Sequence, residues 1–175
     1  LCVNISEISN GDLWIGNESG LSRYDRANDQ FTNYSLSKEL SSTPGTGRVF
    51  GVYEDSQNRL WCGSGTNGLW RYSPEKDQWQ KVIPEEMTND GGTTLGFVED
   101  ADGGLWWSDS AFGLWYWKPG DDGFKLYSSV KDAPWTSTEG TISRLYIDSR
   151  EKLWITTRNG VHRLDISTGN FKTFA

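Results

Sequence analysis

Nucleophilic and acid–base chemistry need an imidazole, a thiolate or a carboxylate held beside the reacting group, and this sequence offers few such sets. It holds one histidine, His162, and two cysteines, Cys2 and Cys62. A single imidazole excludes a multi-histidine metal site, and any Ser–His or Cys–His pair would rest on that one ring. Two cysteines are too few for a disulfide framework and lack metal-ligand spacing, so they read as buried thiols. The 24 acids leave room for a glycosidase-like carboxylate pair. Three of them, however, share one position. Asp55, Asp100 and Asp148 each stand six residues before a tryptophan. An acid that recurs at fixed phase serves a turn, here as the cap of a hairpin. The first unit lacks it, and its "ISNGDLW" reads as a shortened turn.

Other motifs carry less. "DADG" at 100–103 resembles the start of a calcium loop, but the later ligands of that loop are missing. "GTGR" at 45–48 is too short for a phosphate loop and precedes a strand, not a helix. In sialidase-type Asp boxes the acid lies five residues before the Trp, where this chain has Ser9, Ser56, Ala101 and Ser149. No catalytic set, metal site or cofactor is expected.

The elements that would position any site come from a repeat. Leu-Trp recurs at Trp14, Trp61, Trp106 and Trp154, at intervals of 47, 45 and 48. Each is followed by Gly and an apolar residue, Leu21, Leu69, Leu114 or Val161. Eleven residues after each glycine stands an aromatic: Phe31, Trp79, Phe124 and Phe171. A period of this length points to a repeat architecture. Each unit parses into four short strands, as in 48–54, 59–64, 68–73 and 78–83, joined by Asp/Asn/Gly/Pro turns. No 3.6-residue apolar period with caps predicts a helix. The fold class is all-β: a β-propeller of four-stranded antiparallel blades, four of them, at about 3–35, 48–83, 94–128 and 141–174, within a single segment over 1–175.

Strand b of each unit is apolar on consecutive residues, as in Leu-Trp-Ile and Leu-Trp-Cys, so both faces are built for burial. Trp14, Trp61, Trp106 and Trp154, with Leu21, Leu69, Leu114 and Val161, are the expected blade-to-blade core. The segment "GGLWWSDSAFGLWYWKPG" adds Trp107, Trp115 and Tyr116 to that scaffold, expected as inter-blade packing with a ligand surface as the alternative. The glycine before each strand c is expected at positive φ. His162 occupies a strand-c position that other units give to Ser or Trp, and reads as structural.

Ligand contacts in such a fold are expected from the loops joining strand d to the next strand a and strand b to strand c. The candidates are Trp135, as a stacking surface for a sugar, and Arg48, Arg144 and Arg158, as partners of uronate carboxylates. Phe112 and Asp109, near the b–c loop of the third unit, are further candidates.

A net charge of −7 repels phosphate backbones, so nucleic acid is an unsuitable partner. No apolar run reaches the length of a membrane span, and no signal peptide opens the chain. A chain beginning at Leu1 is expected to be a processed or excised piece.

The units resemble the regulator-propeller (two-component regulator propeller) repeat of bacterial hybrid two-component sensors, whose pattern runs roughly "ED..GNLWIGT..GL.RYD..T..F..Y". "GDLWIGNESGLSRYDRANDQFTNY" and "VYEDSQNRLWCGSGTNGLWRYSPEKDQW" carry the match most fully. "FVEDADGGLWWSDSAFGLWYWKPGDDGF" and "YIDSREKLWITTRNGVHRLDISTGNFKTF" depart from it at Trp107-Ser108 and Lys152. The resemblance implies a non-enzymatic sensing region on the periplasmic or extracellular side of a membrane protein, recognising an oligosaccharide. A protein-interaction scaffold is the alternative, and a propeller-based lyase or hydrolase is a third. No strand from one end is left to complete a blade at the other, and neither end has a polar cap. The expected partners of the end blades are therefore neighbouring blades of a parent chain of the seven-bladed type or a second copy, with a compact four-blade ring also open.

Overall fold

A computed structural model of the chain describes residues 2–18, 20–34, 36, 48–64, 68–82, 94–110, 113–127 and 142–174. Four four-stranded antiparallel sheets account for nearly all of them, and no α-helix occurs among the described residues. Blade 1 holds β1 (Cys2–Glu7), β2 (Leu13–Asn17), β3 (Gly20–Asp25) and β4 (Gln30–Tyr34). Blade 2 holds β5 (Val49–Glu54), β6 (Leu60–Ser64), β7 (Gly68–Ser73) and β8 (Gln78–Lys81). Blade 3 holds β9 (Thr94–Glu99), β10 (Leu105–Asp109), β11 (Gly113–Trp117) and β12 (Lys125–Leu126). Blade 4 holds β13 (Ile142–Ile147), β14 (Lys152–Thr157), β15 (Gly160–Asp165) and β16 (Phe171–Phe174). Each sheet is a meander in which sequential strands are neighbours. The chain divides into two compact units, 1–94 and 95–175.

The glycine opening strand c has positive φ in all four blades: 140° at Gly20, 75° at Gly68, 101° at Gly113 and 140° at Gly160. A Cβ at these angles is strained, which explains why no other residue type occupies the position.

The a–b turns share one geometry. In blade 2 the Asp55 N–H donates to the Arg59 carbonyl, and the Asn58 N–H donates back to the Asp55 carbonyl. Blade 3 repeats this with Asp100, Gly104 and Gly103, and blade 4 with Asp148, Lys152 and Glu151. Blade 1 repeats it too, with Ile8, Asp12 and Gly11. Its turn is therefore full length, not shortened. Ile8 simply stands where the other blades have aspartate.

That aspartate does more than cap the turn. One Asp55 oxygen accepts from the N–H groups of Gln57 and Arg59, while the other accepts the Trp61 indole N–H at 2.7 Å. Asp100 binds the N–H groups of Asp102 and Gly104 and the Trp106 indole at 2.9 Å. Asp148 binds the N–H groups of Arg150 and Lys152 and the Trp154 indole at 2.7 Å. The indole is thereby buried without an orphaned donor. In blade 1 the Trp14 indole nitrogen is buried without such a partner.

Each unit has its own core. In the first, Trp14 of blade 1 packs against blade 2. Its ring lies 5.3 Å from Tyr72 and 5.3 Å from Trp79, with Tyr34 of its own blade at 5.2 Å. Val52, Leu60, Cys62 and Trp70 of blade 2 complete the cluster. In the second, Trp106 of blade 3 joins Ile142, Leu153, Ile155 and Leu164 of blade 4. The blades approach closely enough that a Cβ on Gly16 would meet the Val49 carbonyl oxygen at 2.5 Å, which fixes glycine there. Trp107 and Trp115 are fully buried and stacked on one another at 5.9 Å, so these surplus aromatics are core.

Val161 departs from the expected core. Leu21, Leu69 and Leu114 are inaccessible, whereas Val161 is 36% exposed. It lies across from Phe174 on the face of blade 4 that bears Trp154, and that face is open.

Candidate ligand-binding cleft

A cleft of about 540 Å³ opens in the first unit, between blades 1 and 2. It lies at the a–b turns, with Ile8, Ser9 and Asn10 on one side and Gln57 and Asn58 on the other. Three arginines line it: Arg23 on β3, Arg59 in the second a–b turn, and Arg71 on β7. Arg23 and Arg71 are the same repeat position, each paired across the strands with its blade's tryptophan.

Neighbouring groups fix these arginines. Arg23 donates from Nε to Asp12 at 2.9 Å, and its Nη2 lies 2.7 Å from the same carboxylate. Partial burial opposes its charge, but the hydrogen bonds to Asp12 and Tyr34 more than offset this, so the guanidinium stays charged at any accessible pH. Asp12 is buried and also accepts from Asn10 and from the Arg26 N–H. Arg59 donates from Nε to Asp55 at 2.6 Å. Arg71 is exposed, with its guanidinium 5.8 Å from the Trp61 ring centre.

The acids of the cleft are committed elsewhere. Glu54 accepts from the Ser9 N–H at 2.6 Å and the Ser9 hydroxyl at 2.7 Å. Glu75 accepts from the Ser73 hydroxyl, and backbone and hydroxyl hydrogen bonds hold its carboxyl below the usual range. The lining also includes Leu60, Pro74 and Tyr72. Such a mixture of fixed forks and apolar surface suits a ligand with carboxylates or hydroxyls on a flat carbon skeleton.

The candidates expected from the sequence lie elsewhere. Trp135 and Phe112 fall outside the described residues. Arg48 is half-buried beside β5, with its guanidinium 5.1 Å from the Phe50 ring centre. Arg144 and Arg158 are exposed on blade 4. Asp109 is 1% exposed at the end of β10, inside the packing instead of on a surface. All four mark the b–c ends of their strands, whereas the cleft opens at the a–b ends. Arg23, Arg59 and Arg71 were concealed because their meeting depends on two blades packing side by side. The repeated "RY" after strand c begins was the signal available for two of them.

His162 is 1% exposed, and both ring nitrogens meet threonine hydroxyls: Thr157 at 3.0 Å and Thr173 at 3.0 Å. Desolvation lowers its pKa below the ordinary 6.5. The unfolded chain therefore binds the proton more readily, and this contribution to stability falls as pH drops through 6.5 towards the lowered folded value. Thermal melts between pH 8 and 5 are expected to show that loss in the native chain. His162→Ser, which copies Ser22 of blade 1, is expected to flatten that part of the profile; an unchanged slope would show that the buried ring is not its source.

Among the described residues no group of three His, Cys, Asp or Glu side chains is placed to hold a metal ion. No helix among them is long and apolar enough to cross a membrane.

No family profile matches the chain, and no curated protein does. Solved structures do. The extracellular domain of BT4673 from B. thetaiotaomicron, assigned to the hybrid two-component systems, superposes with a TM-score of 0.72 at 18% identity. That match covers 93% of this chain and 21% of the other, so this chain spans about a fifth of that domain. Virginiamycin B lyase from Staphylococcus aureus gives 0.74 at 20% identity, covering 99% of this chain and 55% of the enzyme. Regucalcin from Agrobacterium tumefaciens, a calcium-binding protein, gives 0.64 at 18%, covering 98% and 58%. A sensor domain, a lyase and a calcium-binding protein thus share this architecture, and what the likeness shows is the fold: the chain is a set of β-propeller blades.

Proposed function

We propose that the chain is a ligand-sensing segment of an extracytoplasmic sensor of the two-component type, and that it binds an acidic oligosaccharide without transforming it. The observation that carries this reading is the cleft between blades 1 and 2, whose lining includes Arg23, Arg59 and Arg71. Planar forks held by Asp12 and Asp55 are preorganised for carboxylates and vicinal hydroxyls. The fold shared with the BT4673 extracellular domain and the repeat pattern itself support a sensor. The non-catalytic half is supported by His162, whose ring is enclosed by two threonines.

Calorimetric titration with uronate-containing and neutral oligosaccharides tests the proposal. Acidic oligosaccharides are expected to bind, with affinity falling as salt rises. Arg71→Ala, an exposed change, is expected to weaken binding about 10-fold or more, the loss of one charged hydrogen-bonding group. If no saccharide binds, or if Arg71→Ala binds like the native chain, the cleft is not the site.

A further inference from the structure

Each blade has two unlike faces, and within both units they meet in the same way. One face carries the strand-b tryptophan; the other receives it. In the first unit Trp14 and Tyr34 of blade 1 are received by Val52, Tyr72 and Trp79 of blade 2. In the second unit Trp106 and Tyr127 of blade 3 are received by Leu145, Leu164 and Phe171 of blade 4. The strand registers show that these are equivalent positions. Ile5 pairs with Ile15 as Val52 pairs with Cys62 and Leu145 with Ile155. Tyr24 pairs with Phe31 as Tyr72 pairs with Trp79 and Leu164 with Phe171.

The tryptophan-bearing face of blade 4 and the receiving face of blade 1 are exposed. Blade 4 exposes its tryptophan-bearing face: Tyr146 at 66%, Val161 and Phe174 at 36% each, and a half-buried Trp154 stacked on Phe174 at 5.7 Å. Blade 1 exposes its receiving face: Ile5 at 58% and Phe31 at 63%, with Tyr24 packed 5.0 Å from Phe31. The Tyr24–Phe31 pair repeats the Tyr72–Trp79 pair that receives Trp14, spaced 5.4 Å apart.

Polar groups match as well. In the formed junction the Ser9 N–H and hydroxyl of blade 1 donate to Glu54 at the end of blade 2's strand a. Blade 4 presents Ser149 at the position of Ser9, and blade 1 presents Glu7 at the position of Glu54. Asp77 of blade 2 accepts both its own Tyr72 hydroxyl and the Tyr34 hydroxyl of blade 1. Its counterpart Asp29 in blade 1 accepts Tyr24 at 2.8 Å, but blade 4 has Phe174 at the position of Tyr34, so this second hydroxyl bond is not repeated. The open face of blade 4 bears Arg163 and Lys172 over the Phe174 ring, cations whose charge is opposite to that of Asp29 beside Tyr24 in blade 1.

We infer that the occupant of each open face is the other open face on a second copy of this chain, in a head-to-tail junction built like the two inside the chain. The contact is heterologous, with unlike patches meeting, and differs from a symmetric patch-on-patch dimer. Apolar side chains, a serine–glutamate bond and opposite charges are all supplied by the chain itself, so no other partner is required.

Complementation between two variants tests this. Phe174→Glu spoils only the tryptophan-bearing face, and Phe31→Glu spoils only the receiving face. Light scattering at tens of micromolar is expected to give the native chain a mass above its 19.7 kDa monomer. Each variant alone is expected to be monomeric, because every junction then contains one spoiled face. An equimolar mixture is expected to restore a 1:1 dimer, since each variant keeps the face the other lost. That recovery also shows that both variants are folded. A native chain that stays at the monomer mass would overturn the inference, as would association that the mixture does not restore or that either single variant retains.

Discussion

Trp106→Ala is expected to remove about 3–5 kcal/mol of stability, the usual cost of deleting a large buried aromatic and leaving its cavity. The ring is 1% exposed, lies 4.5 Å from Tyr116 and 4.9 Å from Tyr127, and joins blade 3 to blade 4. Trp154→Ala provides the internal control. It is the same residue at the same repeat position in the same unit, yet half-buried with solvent on one side. Its loss is expected to cost about 1–2 kcal/mol, in proportion to the smaller area withdrawn from water. Urea unfolding of both variants, followed by tryptophan fluorescence and circular dichroism, measures the difference. Equal losses would mean that burial between blades is not what these tryptophans contribute.

Asp100→Ala comes next, with an expected loss of about 2–3 kcal/mol. The carboxylate is buried and satisfies three donors at once: the Asp102 and Gly104 N–H groups and the Trp106 indole. Alanine would leave the indole donor buried without a partner and the turn uncapped. Asparagine can keep the oxygen that accepts the two N–H groups, but its amide nitrogen then faces the Trp106 indole N–H, so Asp100→Asn is expected to lose stability as well. Denaturant melts measure both losses. An Asp100→Ala variant as stable as the native chain would show that these hydrogen bonds do not hold the turn.

The blades were legible in the sequence because their strongest signals are local. A turn that needs positive φ leaves a glycine at a fixed place, and a strand buried on both faces leaves consecutive apolar residues. Asp55, Asp100 and Asp148 were also recognisable as turn residues. Their second task was not, because six residues of separation say nothing of an indole folding back onto a carboxylate. The first turn was misread for a related reason: Ile8 looked like a deletion, whereas the backbone hydrogen bonds are unchanged and only the side chain differs. Val161 looked like core because its position in the repeat is core in other blades. Whether a face is covered depends on the next blade, which a residue's own unit does not encode. The arginines of the cleft were obscured likewise. Arg59 is a turn residue in one repeat and Arg23 a strand residue in another, and only lateral packing makes them neighbours.

The lost aspartate of blade 1 has a consequence of its own. Modules built to one plan hold each other in place, so a single module can give up its own lock while its neighbours keep theirs. Where that lock is missing, Asp12 has turned to Arg23 and the cleft has opened beside an unclaimed indole. Redundancy of this kind lets a duplicated scaffold acquire a specialised spot without risking collapse, because novelty arises at the one joint the assembly can spare.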